Sequence, residues 1–597
     1  MSKVKRLSYL AAAVCIGWAG IAAPAWATDF KFGEVTVSLD NTVSLGIGMR
    51  TSKQSCTKIA IVNGGCPVDA TGQGNDVNTD DGDINFGRGD AYAETLKFVS
   101  EGQLKWQNYG AFVRVKGFYD YIGDQVAGQH QTDYGSRPLD DSVRGNDAHN
   151  AAAWDVRLLD AFVYGNFDVG ALPLNVRFGK QVVNWGESLA IQGGINQFLS
   201  VDVGAIRTPG AEIKEALLPQ EMLYGSIGLP DDFNLEAWAG FKWRHTIIDP
   251  VGTFFSPADA IGPGGSYINL TGDGPGTLAD QLWVTKSEEP RDFGQYGLKL
   301  GYNADWLNDG TELGLYYVNY HSNLPFIEYQ NENPVSLGGT GQAFRAAYPE
   351  DIKLFGASFS TVLEDFLYGT AFSGEAVFQP NLPFSLSAGE ELLAHLSDRL
   401  GVPASLLPYD MTPGAFPDGY VRTDAVSGQI STVSTLPTSD WATHALRADL
   451  IVLVANWGFQ WLPDVSQNEL QAMSASMSEF QVPSMALNPL TNPAFRLYHP
   501  DSFSHGYRLI ANAQYNNAFG TPWTLIPGIQ FGQDFGTAAG PIGPGFLDNR
   551  KTLSVGVRAN YQSSWSAGIQ WTASRGNAIQ NQFEDRDFAT FDVSYAF

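Results

Sequence analysis

The chain has 597 residues, 44% of them hydrophobic and 13% aromatic, with 65 glycines. Its 36 Lys and Arg stand against 63 Asp and Glu, a net charge of −27 that excludes nucleic acid as a partner. Past the leader the longest uninterrupted apolar block is Leu450 to Ala455, far short of the roughly 18 residues a membrane helix needs, so an inner-membrane helical protein is excluded too.

The amino-terminus carries Lys3, Lys5 and Arg6, an apolar stretch from Leu7 to Ile21, and the small-residue pattern Ala25-Trp26-Ala27. These are the parts of a secretory signal peptide, so residues 1–27 are expected to be removed and 28–597 to form one domain. Cys15 lies within the apolar stretch behind Val14, which makes a lipoprotein anchor the poorer reading. Asn41 to Arg50 is the first spanning-strand candidate. Val43, Leu45, Ile47 and Met49 alternate with Thr42, Ser44, Gly46 and Gly48, and the space left by the small inward residues falls either to water or to the preceding segment Phe30 to Leu39. Cys56 and Cys66 flank an Asn63-Gly64 turn and are expected to form one local disulfide. The run Asp76, Asn78, Asp80, Asp81 and Asp83 resembles a calcium loop, but its Gly82 comes one place late and no closing Glu follows. A solvated acidic loop is the default, and no metal site is assigned.

Leu96 to Trp106 and Ala111 to Tyr121 read as a hairpin about the Gln107-Asn108-Tyr109-Gly110 turn. Trp154 to Phe167, Leu174 to Gly186, Met222 to Leu229 and Leu235 to Arg244 follow as strands; in the last, Glu236, Trp238, Lys242 and Arg244 share the face opposite Leu235, Phe241 and Trp243. Charges confined to one face of an apolar ribbon fit a face that meets water in a pore. Between the fifth and sixth strands, residues 187–219 do not alternate. They form either a large surface loop or a plug or constriction inside a barrel, with Arg207, Glu212, Lys214 and Glu215 as its charges.

Gln295 to Asn303 and Thr311 to Tyr320 flank Asn308-Asp309-Gly310, a tight-turn signal. Ile352 to Val362 and Thr370 to Gln379 follow, and then residues 382–439, rich in Pro, Gly and Ser with a helical-looking Ala388 to Leu400, read as a loop insertion. Leu446 to Trp461, His505 to Asn517, Trp523 to Phe535, Arg550 to Tyr561, Trp565 to Ser574 and Asp587 to Phe597 complete about seventeen candidates. Phe591, Val593, Tyr595 and Phe597 share one face of the last strand, as in the terminal strand by which the barrel-assembly machinery recognises its clients. The expected fold is therefore all-β, a transmembrane antiparallel barrel with long extracellular loops. Bacterial barrels close with an even count, which gives about 16 strands with 14 or 18 open.

Inward charges are the candidate site: Arg114, Lys116, Arg177, Lys242, Arg244, Lys299, Arg447, Arg508 and Arg558, balanced by Glu236, Glu312, Glu375, Asp449 and Asp592. Two readings stand side by side. Paired charges brace a barrel and fix its register, or opposed charges line a polar slot that orients an amphipathic molecule whose apolar part meets Trp238, Phe118 and Tyr316. None of the eight histidines has zincin spacing and no glycine-flanked serine makes a nucleophile elbow, so no catalytic residue and no cofactor is assigned.

The strings RFGKQVVNWGES (177–188), QGGIN (192–196), RTPGAEIKEALLP (207–219), IDPVGTFFS (248–256), VNYHSNLP (318–325), YPEDIKLFGASF (348–359), SGEAVFQPN (373–381), GYRL (506–509) and the closing RDFATFDVSYAF resemble, in order, a proteobacterial domain-of-unknown-function family of outer-membrane β-barrels. That resemblance implies genes beside an RND-type, MmpL-like exporter and a periplasmic protein of lipoprotein-carrier fold, and a part in moving hydrophobic compounds or lipids across the envelope. The functional expectation is a passive conduit or acceptor for such molecules in the outer membrane. The alternatives are a plugged structural or receptor-like barrel and, third, an outer-membrane hydrolase.

Overall fold

The structure, a computed structural model, describes residues 28–67, 77–129, 132–135, 137–139, 145–269, 281–330, 342–386, 415–463, 465–466, 470, 473, 499–562, 564–577 and 580–597. Its strands in chain order are β1 Thr28–Phe32, β2 Val35–Arg50, β3 Ala91–Trp106, β4 Tyr109–Asp120, β5 Trp154–Val169, β6 Leu172–Gln181, β7 Gln220–Gly228, β8 Phe233–Gly240, β9 Tyr267–Asn269, β10 Gln281–Val284, β11 Tyr296–Ala304 and β12 Thr311–Tyr320. They continue with β13 Phe326–Tyr329, β14 Gln342–Ala347, β15 Ile352–Leu363, β16 Thr370–Ser385, β17 Tyr420–Pro437, β18 Leu450–Trp461, β19 Phe503–Gln514, β20 Trp523–Phe535, β21 Lys551–Tyr561, β22 Trp565–Arg575 and β23 Phe588–Ala596.

Eighteen of these pair antiparallel, each with its neighbour in sequence, and β23 returns to β2 from Thr42↔Ala596 to Arg50↔Phe588. Every ladder is thereby closed, the condition for strands to cross lipid, where an unpaired backbone group costs several kcal/mol. The period of two decides which face meets what. On β2, Leu45, Ile47 and Met49 are exposed outward while Ser44, Gly46, Gly48 and Arg50 are buried inward. Exposed aromatics gather at both rims: Trp106, Tyr109, Trp306, Trp441 and Trp565 at the end with short turns, and Tyr119, Tyr121, Trp154, Phe293 and Trp461 at the end with long loops. Such girdles sit at the headgroup level of outer-membrane barrels. Asn308-Asp309-Gly310 makes its tight turn, with φ 53° at both Asn308 and Asp309 and 125° at Gly310.

The ring has 18 strands, the upper of the even counts left open around 16. The one absent from the seventeen candidates is β17, inside the stretch 382–439 assigned to a loop. Its outward positions Gly428, Thr432 and Ser434 share a face with Ile430 and are no more apolar than inward Ser427, Gln429 and Ser431, so the contrast between faces that marks a strand is missing. Ala388 to Leu400 lies outside the described residues. Nor does the segment before Asn41 fold inside. β1 pairs with Val35–Leu39 of β2 as a hairpin at the short-turn end, with Phe30 and Phe32 exposed.

Two features organise the loop end. β13, β14, β10 and β9 form a small separate sheet around Ile268, Leu282, Ile327, Tyr329 and Phe344, with β10 and β14 parallel. At the seam between β2 and β23, fully buried Arg50 binds the carboxylates of Asp83 and Asp585 and donates to the Phe86 carbonyl at 2.9 Å. Buried Arg586 donates to the carbonyls of Phe254 at 2.8 Å and Ser256 at 3.1 Å. Cys56 and Cys66 are joined by a disulfide in the same loop cluster.

Candidate functional site

Residues 182–219, between β6 and β7, lie against inward side chains from around the ring. Their first half is clamped by Glu375 of β16, whose carboxylate accepts the backbone N–H of Glu187 at 2.7 Å and of Ile195 at 3.3 Å, and the Gln429 amide at 2.9 Å. Asn456 of β18 accepts the Ala190 N–H at 3.2 Å. Glycine at 194 is required here: its φ is +68°, and a Cβ would fall on the Glu375 carboxylate. Trp185, Phe198, Trp238 and Tyr316 then pack as one buried aromatic cluster, Phe198 stacking on Trp238 at 5.2 Å. Glu236 accepts from the Trp185 indole and the Tyr224 hydroxyl, both at 2.8 Å.

The second half is held by ions on the opposite wall. Lys97 of β3 reaches Glu215 at 2.8 Å and the Gly210 carbonyl at 2.9 Å, and Lys214 joins Glu101 and Glu212, each at 3.0 Å. Glu101 continues to Arg114 at 2.8 Å and so to Asp160 at 2.6 Å. Asp202 caps the helical turn Val203–Arg207 through the Ala205 N–H and takes Arg157 at 2.9 Å; Arg207 pairs with Asp249. Pro209 is seated on Gly46 of β2, where a Cβ would come within 2.8 Å of it.

Two cavities flank the stretch 203–211. The larger, about 650 Å³, lies between it, residues 247–255 and the wall of β3, β4 and β5; the smaller, about 390 Å³, lies between it and the hydroxyl-rich inner face of β21, β22 and β23. Arg207, Thr208 and Phe255 border both. Burial, reinforced by Glu312 and Glu375, pushes the carboxyl of Glu187 up to about 7.

Of the candidates named from sequence, Arg114, Lys116, Glu236, Trp238, Lys299, Glu375, Arg508, Arg558 and Asp592 face inward with the strand positions expected of them. Lys299 joins Glu236 at 3.4 Å and Glu312 at 3.7 Å; Arg558 joins Asp592 at 3.2 Å. Arg177 lies 5.0 Å over the Tyr224 ring, and Arg508 shares Asp534 with Arg550. Four candidates do not belong to the lumen wall. β8 ends at Gly240, so Lys242 is exposed beyond it and Arg244 meets Glu221 at 3.6 Å. β18 begins at Leu450, so Arg447, at φ +54°, ends the helical turn Trp441–Leu446, and Asp449 accepts the Asn516 N–H on the same short-turn rim. Lys97, Glu101, Asp160 and Asp534 were missed. For Lys97 and Glu101 the signal was present, two charges on one face of β3 four residues apart.

His321 is structural: its Nδ1 accepts the Asp351 N–H at 3.1 Å, its Nε2 meets the Phe293 carbonyl at 3.0 Å, and Ser322 is turned to the Leu324 carbonyl. His130, His395 and Asp76 lie outside the described residues. Asp80, Asp81 and Asp259 bring carboxylate oxygens within 4.8 Å of one another, while Asp83 is given to Arg50.

A closed ring of strands, apolar outside and charged within, with no helix long and apolar enough to cross a membrane among the described residues, defines an outer-membrane β-barrel. Within that class the chain belongs to the family described as "Protein of unknown function (DUF1302)", whose model matches residues 7–597. No curated protein matches it in sequence. Solved structures similar in arrangement include OccAB1 of Acinetobacter baumannii, at 9% identity over 96% of this chain and 98% of that one, with a TM-score of 0.39. OccK1 (OpdK) of Pseudomonas aeruginosa is similar at 11% identity over 94% and 98%, TM-score 0.39, and OmpF of Salmonella typhi at 9% over 96% and 100%, TM-score 0.33.

Proposed function

We propose that this protein is a passive outer-membrane conduit for hydrophobic or amphipathic small molecules or lipids, with residues 182–219 as its constriction. The observation that carries this reading is the pair of cavities on either side of 203–211, bordered by the same Arg207, Thr208 and Phe255. A segment tethered there by ion pairs with the wall can shift without breaking the barrel, whereas its first half, locked by Glu375 and the Trp185 cluster, stays in place. No step of this needs an enzyme or a bound cofactor. Energy would come from outside, from an inner-membrane RND-type exporter with a periplasmic lipid-carrier-like protein handing material to or from the short-turn rim.

The packed aromatic cluster favours a second reading, a permanently plugged, receptor-like barrel. Planar-bilayer recording separates the two. The conduit gives small, discrete conductance steps from purified protein and larger ones after deletion of residues 203–209, while a plugged barrel stays silent in the intact protein. Esterase turnover that persists through repurification would instead point to a hydrolase.

A further inference from the structure

The larger cavity contains a cation without an ion-pair partner among the described residues. Lys116 of β4 is only 7% exposed, yet among the described residues its ammonium has no hydrogen bond and no carboxylate within 4 Å; the Phe118 ring lies 5.9 Å away. The other cations on the wall are all satisfied: Lys97 by Glu215, Arg157 by Asp155 and Asp202, Arg207 by Asp249. Of the carboxylates whose field reaches Lys116, Asp202 is taken by Arg157 and Glu215 gives one oxygen to Lys97, while Asp120 accepts from Thr95 and the Gly123 N–H. Burying an ammonium without a partner is costly, and with the other cations of the lining ion-paired this one faces a space of about 650 Å³.

We propose that this cavity binds an amphipathic monoanion, its single negative head on Lys116 and its flat apolar body among Tyr92, Phe118, Phe254 and Phe255. These four aromatics border the cavity, and Tyr92 and Phe254 stack at 4.4 Å with planes 9° apart, so the wall is a rigid aromatic slot rather than a set of mobile side chains. The volume lies in the range of sites for drug-sized molecules. One available cation among Asp120, Asp147, Asp155, Asp202 and Asp249 accepts one charge; a phosphate dianion would meet more repulsion than attraction. The site names a substrate class for the proposed conduit and rests on that reading only in making the bound molecule a passenger.

The test uses the full-length protein in lipid nanodiscs, with 2-naphthoate as probe and 2-naphthamide as its uncharged analogue, followed by calorimetry and tryptophan quenching. Expected are tighter binding of naphthoate than of naphthamide, a loss on the order of tenfold or more for naphthoate alone in Lys116→Met, and recovery in Lys116→Arg. Phe254→Ala weakens both probes alike. Equal affinity for the two probes, or naphthoate binding unchanged in a Lys116→Met protein that keeps its heat-modifiable mobility, overturns the proposal. Bilayer recording on the same samples keeps the two readings apart: Lys116-dependent binding by a silent barrel upholds the site and sinks the conduit, and conductance without such binding does the reverse.

Discussion

Glu375 shows how one side chain fixes the state of a lumen. Its carboxylate is spent on two backbone N–H groups of the crossing segment and one amide of the wall, and bonds of this charged kind are worth about 1.5–3 kcal/mol each when buried. Glu375→Gln keeps the shape but puts a donor opposite a donor. The expected outcome is a loss of about 2–3 kcal/mol in denaturant unfolding together with noisier, larger single-channel currents. Glu187 gives the matching pH dependence. With its carboxyl raised to about 7, it is neutral below that pH and charged above it. Selectivity for cations over anions is therefore expected to rise in one step near pH 7, read from reversal potentials in a salt gradient, and Glu187→Gln should remove the step.

At the scale of elements, glycines on β2 let the crossing segment come close. A Cβ at Gly46 would press on both Cβ and carbonyl oxygen of Pro209, backbone that cannot rotate away. Gly46→Val should push the 203–211 stretch off its seat at a cost of about 1–3 kcal/mol, leaving the barrel intact and its conductance raised. The sequence made the outward-facing strands legible because alternation needs only local contrast; Leu45, Ile47 and Met49 against Ser44, Gly46 and Gly48 are enough. It hid β17, whose two faces are alike in polarity, and it misplaced Lys242 and Arg447, whose alternation runs on past the last ladder bond. The charges on the crossing segment were visible, but their partners were not. Lys97 and Glu215 lie more than a hundred residues apart, and nothing local in either records the other.

For the molecule as a whole, the outward band is the driving force for insertion. Leu45 stands among exposed apolar neighbours between the two aromatic rims. Leu45→Arg should cost about 2–4 kcal/mol, measured by reversible unfolding in lipid, whereas the same change at rim residue Trp106 should cost about 0–1. Arg50 bears on how the ring closes. It projects from the first strand of the ring into a nest of acceptors, one of which, Asp585, lies just before the last strand. A slip of one residue between those strands would turn the guanidinium toward lipid and strand two acids in the dark, so the knot acts as a combination lock on zipping: the cylinder can shut in one phase and in no other.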